Sequence, residues 1–372
     1  MALSGTPALA AVEGGAQLGL RGHQVNPMAG ATSLPTIHAK SWVLADATTG
    51  EILAAKNAHL QRPPASTLKQ LTALTLMPEL NPTQTYVARA SDPIAHTAEA
   101  GVVPGVTYTV EQLYYGMMLP SGNDAARALG HANGGIGKTV AQMNRVAAQL
   151  QAKDTVAKTP NGLDTPGQVS SAYDLALFAR AGLQMPAFAQ VVSSRSAPFP
   201  GKGGALRTIY TNNHLMLANY PGCIGVKTGF TSLGGRVFVA AARRHGITLI
   251  VSLMKITDPS KVAAARLLDW GFANHDKVTP VGQLVDPLTP LPKTAIPAPT
   301  ATAAAGIGVG AAPGTPTQEP TGTAATSALQ IPPIQQSGWP PAAWFALAIV
   351  VVAILATWWV RRRRRQRPHS LI

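Results

Sequence analysis

Between residues 285 and 338 the chain is built from proline, alanine, threonine and glycine, with few large apolar side chains. Such a stretch cannot bury enough surface to offset the entropy of ordering it, so it reads as a linker and any core must form to either side. Before it, residues 36–284 carry the apolar runs and turn signals of a folded domain, preceded by a segment, 1–35, that reads as disordered or as the remnant of an export region. After it, residues 344–360 are seventeen without a charge, sixteen of them hydrophobic. Extended to 339–360, this run approaches the ~20 residues a helix needs to span a bilayer. Trp344 at one end and Trp358 and Trp359 at the other suit the membrane interface, and five arginines follow at 361–365, the side that stays cytoplasmic. The expectation is a single-pass cell-membrane protein with residues 36–284 outside and a basic tail, 361–372, inside. A buried core helix is the alternative, and arginines directly after it weigh against that.

The formal charge of +14 is partly this local tail, because six of the positive charges are the arginines at 361–365 and 367. A basic run directly behind an apolar segment argues for a membrane surface and against nucleic acid. The single cysteine, Cys223, excludes an intramolecular disulfide. The nine histidines form no His-Glu-x-x-His and no Cys/His cluster, so neither a metal nor a cofactor is expected. Residues 1–39 show no basic and apolar export leader, and the expectation is that such a leader lies upstream of this chain.

Within the domain, residues 41–56 read as a hairpin turning at Thr48-Thr49-Gly50, and residues 236–254 as a second, turning at 243–246. Asp258 reads as an N-cap with Pro259 at the first helical position of a helix ending near Gly271. Strands at both ends with helices between them predict an α+β domain, an antiparallel sheet with a helical subdomain inserted in the middle.

Three short segments carry chemistry. In Ser66-Thr67-Leu68-Lys69, leucines continue at helical spacing to Pro78, so Lys69 lies one turn after Ser66 on the same face. A serine is a poor nucleophile until a base takes its proton, and a desolvated lysine can be that base. The second copy of this spacing, Ser252 to Lys255, sits on a strand where such positions face opposite ways and reads as chance. Ser121-Gly122-Asn123 follows a helix opened by a Thr109/Gln112 capping box and ended by Pro120, which leaves both polar side chains free to face a cleft; an ordinary polar turn is the plain alternative. Lys227-Thr228-Gly229 reads as a strand whose lysine and threonine can hold a carboxylate, with Gly229 allowing close approach of a substrate backbone. Alone, it could be an edge strand with a solvated lysine. Arg236 could also meet a carboxylate, although an ion pair or a solvated side chain is the plainer reading.

Taken in this order, and with the flanking blocks Pro64–Lys69, Leu119 to Ala126, Asn161-Gly162-Leu163-Asp164 and Gly225 to Thr231, the chain resembles the penicillin-binding serine acyl-transferases. Within them it is similar to the low-molecular-weight D-alanyl-D-alanine carboxypeptidases, over residues 40–272. The resemblance implies the penicillin-binding-protein/β-lactamase-like fold and removal of the terminal D-alanine from peptidoglycan stem peptides ending in D-Ala-D-Ala, with covalent capture of β-lactams. It implies Ser66 as the acylated nucleophile, Lys69 as its activator and Ser121 as a proton relay. Asn123 would bind the substrate peptide, Lys227 and Thr228 its terminal carboxylate, and the N–H groups of Ser66 and Phe230 the oxyanion. The blocks at 159–162 and 212–214 match loosely and are given no catalytic role. A β-lactamase would need a glutamate to activate the deacylating water, and none lies between Glu111 and Glu319. The same three segments would also serve a transpeptidase. A non-catalytic wall-assembly module could keep the fold, although three intact segments weigh against it.

Overall fold

The computed structural model describes residues 12–295. Strands β1 (His23–Pro27), β2 (Ala39–Asp46) and β3 (Glu51–Lys56) open the fold, and a 3₁₀ turn, Ala65–Leu68, runs into helix α1 (Lys69–Leu76). A small ribbon, β4 (Thr85–Val87) with β5 (Thr107–Thr109), precedes α2 (Val110–Met118), α3 (Asn123–Ala132), α4 (Ile136–Gln149), α5 (Ala172–Leu183) and α6 (Pro186–Ser193). A second ribbon, β6 (Ser196–Pro200) and β7 (Leu206–Tyr210), leads through the short α7 (His214–Leu217) to β8 (Cys223–Thr231), β9 (Gly235–Arg244) and β10 (Ile247–Ile256). Helix α8 (Ser260–Asn274) and the two-residue strands β11 (Val278–Thr279) and β12 (Gly282–Gln283) complete it.

The main sheet runs β11-β1-β3-β2-β10-β9-β8, with β12 also on β3 and every pairing antiparallel. Its central strands are buried on both faces, and the two-residue alternation of a strand sorts their side chains into two cores. Val43, Ala45, Val239, Ala241 and Ile250 face the helical subdomain and meet Leu71, Leu74, Met117 and Phe178. Trp42, Leu44, Phe238, Ala240 and Val251 face the other way and meet Ala263, Ala264, Leu267 and Leu268 of α8. Both predicted hairpins, the Thr109/Gln112 capping box and the inserted helical subdomain are present.

Three expectations change. Residues 12–35 are an ordered part of the domain: β1 pairs with β3 and β11, and Gly14 accepts from the N–H of Gln283. They cover a sheet edge whose backbone groups would otherwise stand unpaired. Past the predicted boundary at 284, Arg180 pairs with Asp286 at 2.8 Å, Leu291 packs on the core, and Ala187 donates to Thr294, so the first residues of the proline-rich stretch lie against α5 and α6. Asp258 does not cap α8, since its carboxylate accepts from the His38 N–H and pairs with the His38 ring. Among the described residues no single helix is long and apolar enough to cross a membrane. The candidate span 339–360, the tail 361–372, residues 1–11 and the linker from 296 lie outside the described residues.

Candidate active site

The 3₁₀ turn at 65–68 places Ser66 on the wall of a cavity of about 730 Å³, also lined by Ser121, Asn123, Thr228, Gly229 and Phe230. Five of the residues singled out in the sequence therefore share one cleft with the serine. Lys69 and Lys227 lie just beneath its floor, 0% and 1% exposed.

Lys69 Nζ sits 3.0 Å from Ser66 Oγ, 2.6 Å from Asn123 Oδ1 and 2.8 Å from the backbone carbonyl of Asn161. A neutral amine has two N–H donors and one lone pair, whereas an ammonium has three donors. Two of the three neighbours can only accept, and the third is a hydroxyl. An uncharged Lys69 thus satisfies Asn123 and Asn161 with its two N–H groups and turns its lone pair to the Ser66 proton. Burial is the main force that makes this form accessible, holding the lysine well below its usual pKa. The nearby charge of Lys227 pushes the same way, and Asp124 opposes.

Lys227 is brought down to about 7 by burial. Its Nζ donates to the Thr228 carbonyl, and the Thr228 hydroxyl donates to Asn212 Oδ1 at 2.8 Å. Asn212 in turn reaches the Ser121 loop through its N–H to Leu119 O and its Nδ2 to Pro120 O. Ser121 has φ +69°, a left-handed conformation uncommon for a residue with a side chain, in the tight connection between α2 and α3. Among the described residues its hydroxyl bonds neither Lys69 nor Ser66.

Some roles differ from the sequence expectation. Asn123 is engaged by Lys69 through its carbonyl oxygen and orients the base as well as lining the cleft. Gly229 is needed for packing against the nucleophile turn, because a Cβ there would stand 2.9 Å from Ser66 N and 3.1 Å from Thr67 N. The loosely matching blocks do position the site. Asn161 presents its carbonyl to Lys69, and Asn212 ties the Lys-Thr-Gly strand to the Ser121 loop. Asp124, in the first turn of α3, accepts four backbone N–H groups: Ala100 and Ala125 at 2.8 Å, Gly101 and Val102 at 2.7 Å. Ser252, the chance copy, bonds the carbonyl of Ala172 in the core, and Lys255 points out to Leu233 O.

Residues 28–257 match the family model for D-alanyl-D-alanine carboxypeptidase, Peptidase_S11. The chain is 42% identical over 263 residues to the D-alanyl-D-alanine carboxypeptidase DacB2 of Mycobacterium tuberculosis, covering 69% of this chain and 89% of that one. It is 36% identical over 260 residues to DacD of Escherichia coli K12, covering 66% of each. A crystal structure of a D-alanyl-D-alanine carboxypeptidase from M. tuberculosis H37Rv superposes with a TM-score of 0.66 at 41% identity, covering 70% of this chain and all of that one. The Streptomyces K15 DD-transpeptidase follows with a TM-score of 0.61 at 28% identity over 65% of this chain and all of that one. With the Ser66 hydroxyl, the buried amine of Lys69 and the Lys-Thr-Gly strand meeting at one cleft, and this match across most of the ordered domain, the chain belongs to the D-alanyl-D-alanine carboxypeptidase family.

Proposed function

We propose that the chain is a serine-type D-Ala-D-Ala carboxypeptidase that trims peptidoglycan stem peptides through an acyl-enzyme on Ser66. The observation that carries it is the buried amine of Lys69 aimed at Ser66 Oγ from 3.0 Å. Lys69 takes the serine proton as Oγ attacks the carbonyl of the penultimate D-alanine. The oxyanion is held by the N–H groups of Ser66 and Phe230, where one such donor contributes roughly 10²–10³ in rate. The C–N bond breaks as the proton passes through Ser121 to the departing amine. Water then attacks the ester and gives its proton to Lys69, and Ser66 leaves with a proton restored. Lys227 and Thr228 hold the terminal carboxylate, so a peptide without one is a poor substrate. β-Lactams acylate the same serine. The absence of a glutamate between residues 111 and 319 supports a long-lived adduct.

Residues 36–284 are the catalytic part in this reading, widened to 12–295 by the packing described above. Residues 339–360 anchor it in the cell membrane, with the catalytic part outside and 361–372 inside. The 43 linker residues left at 296–338 give an end-to-end reach of about 36 Å, which lets a tethered domain search nearby wall.

The test is D-alanine release from a peptide ending in D-Ala-D-Ala, with mass mapping of the penicilloyl adduct. Ser66→Ala and Lys69→Ala abolish both; release surviving in Ser66→Ala sinks the proposal, and product analysis with an added amine separates hydrolysis from transfer. For the anchor, a chain ending at residue 338 moves from the membrane fraction to the soluble one; an unchanged distribution rejects it.

A further inference from the structure

Beside the catalytic cleft lies a second cavity of about 600 Å³, and the two share His214, Arg236 and Ser260 as walls. Thr228 lines the catalytic cleft that the second cavity adjoins, and the second cavity's own wall carries Lys261. D-Alanine has only a methyl group beyond its α-carbon, so the reaction proposed above leaves this space unused.

Its electrostatics are one-sided. The His214 ring is held below its ordinary pKa by burial first, and then by Lys227, Arg236 and Lys261, whose charges converge on it. Among the described residues no ion pair involves Arg236, Lys261 or Lys227, and Arg236 makes only a long bond of 3.4 Å to the Thr257 carbonyl. The acid closest in sequence, Asp258, does not line the cavity and is held by the His38 N–H at 3.0 Å and the His38 ring at 2.8 Å. Cations gathered at a cavity without a facing carboxylate favour an anion that arrives from outside.

Resting on the carboxypeptidase reading, we infer that this cavity is a subsite for the side chain of the released residue, and that it favours an acidic one. A terminal D-glutamate would place its α-carboxylate at Lys227 and Thr228, as D-alanine does, and extend its side-chain carboxylate past Arg236 toward Lys261. The peptide bond broken is the same, with water as the co-reactant and the acidic D-amino acid as the product. Lys261 and Arg236 are then specificity-determining residues for the leaving group. Because both are exposed, the preference is modest, about fivefold, as two solvent-accessible ion pairs allow.

The experiment compares three peptides with one acyl part, ending in D-Ala-D-Ala, D-Ala-D-Glu and D-Ala-D-Gln, on the full chain. D-Glutamine has nearly the size of D-glutamate and none of its charge, so the ratio of their kcat/KM values isolates the electrostatic preference. The expected ratio is about five at low salt, falling toward one near 1 M salt as screening shortens the field. Within Lys261→Gln the same ratio drops toward one, and within Lys261→Glu below one. Release of D-alanine with a glutamate-to-glutamine ratio of one or less at low salt overturns the subsite and leaves the carboxypeptidase reading standing. A chain that releases no D-alanine overturns both.

Discussion

Replacing Asp124 by asparagine separates what its carboxylate does for the fold from what it does for the base. Oδ1 accepts the N–H groups of Ala100 and Ala125, and Oδ2 those of Gly101 and Val102, all at 2.7–2.8 Å. Asparagine has one oxygen, so one pair of donors keeps an acceptor while the other pair faces an amide NH₂, donor against donor. Two hydrogen bonds to a charged group are lost in a buried setting, each contributing about 1.5–3 kcal/mol, so the expected loss is about 3–6 kcal/mol. That is a large part of the roughly 5–15 kcal/mol by which a domain is stable. Urea denaturation at neutral pH reads it as a lower midpoint. The second effect has its own sign. The charge of Asp124 favours protonated Lys69, so removing it lowers the pKa of Lys69 further. Acylation needs the uncharged amine, so its acid limb moves to lower pH in the fraction that folds, measured as the pH dependence of the penicillin acylation rate. An unfolding free energy within about 1 kcal/mol of the parent refutes the anchoring argument. An acid limb that stays or rises refutes the electrostatic one.

Lys227→Gln should move the same limb the opposite way, because it removes a cation that disfavours protonated Lys69; a limb unchanged or shifted down contradicts the coupling. In the parent, kcat/KM should be bell-shaped, rising as Lys69 loses its proton and falling as pH passes the pKa of Lys227, about 7. A bound carboxylate favours the ammonium, so the alkaline limb of kcat should lie above that of kcat/KM. Gly229→Ala should slow acylation by about 10²-fold, because its Cβ presses on Ser66 N and Thr67 N and parts the strand from the nucleophile turn; parent-like acylation would reject that packing role. Penicillin bound to the parent should persist as an intact adduct by mass spectrometry, and turnover of nitrocefin at many cycles per second would reject that expectation.

The sheet was legible where it is most buried. Strands β2, β9 and β10 are covered on both faces, so their apolar runs stand out from the turns between them, and both hairpins follow from that contrast. The edge was not. β1 contributes mostly polar side chains, and β11 and β12 are two residues each, so their membership rests on backbone pairing with β3 and β1 rather than on a side-chain pattern. The same reason hides the packing of residues 285–295. A proline-rich stretch can lie on a surface through a few backbone bonds and one ion pair without a periodic signal.

In the active site, legibility depends on whether a residue acts through its side chain or through the chain itself. Ser66 and Lys69 are three apart, and the helical period alone brings hydroxyl and amine together. Asn161 acts through its carbonyl, which every residue type possesses, so its identity says nothing of its role. The trace it leaves lies one residue on. Gly162 has φ +80°, and a Cβ there would come within 2.1 Å of the Ala65 carbonyl, directly before the nucleophile. Only glycine lets that loop lie on the nucleophile turn, and that contact is what brings the Asn161 carbonyl to Lys69. The burial of Lys69, which decides whether it serves as a base or a cation, has no local signal. It arises because α1, α3 and the 159–163 loop close around one amine, an arrangement between segments up to 92 residues apart in the chain.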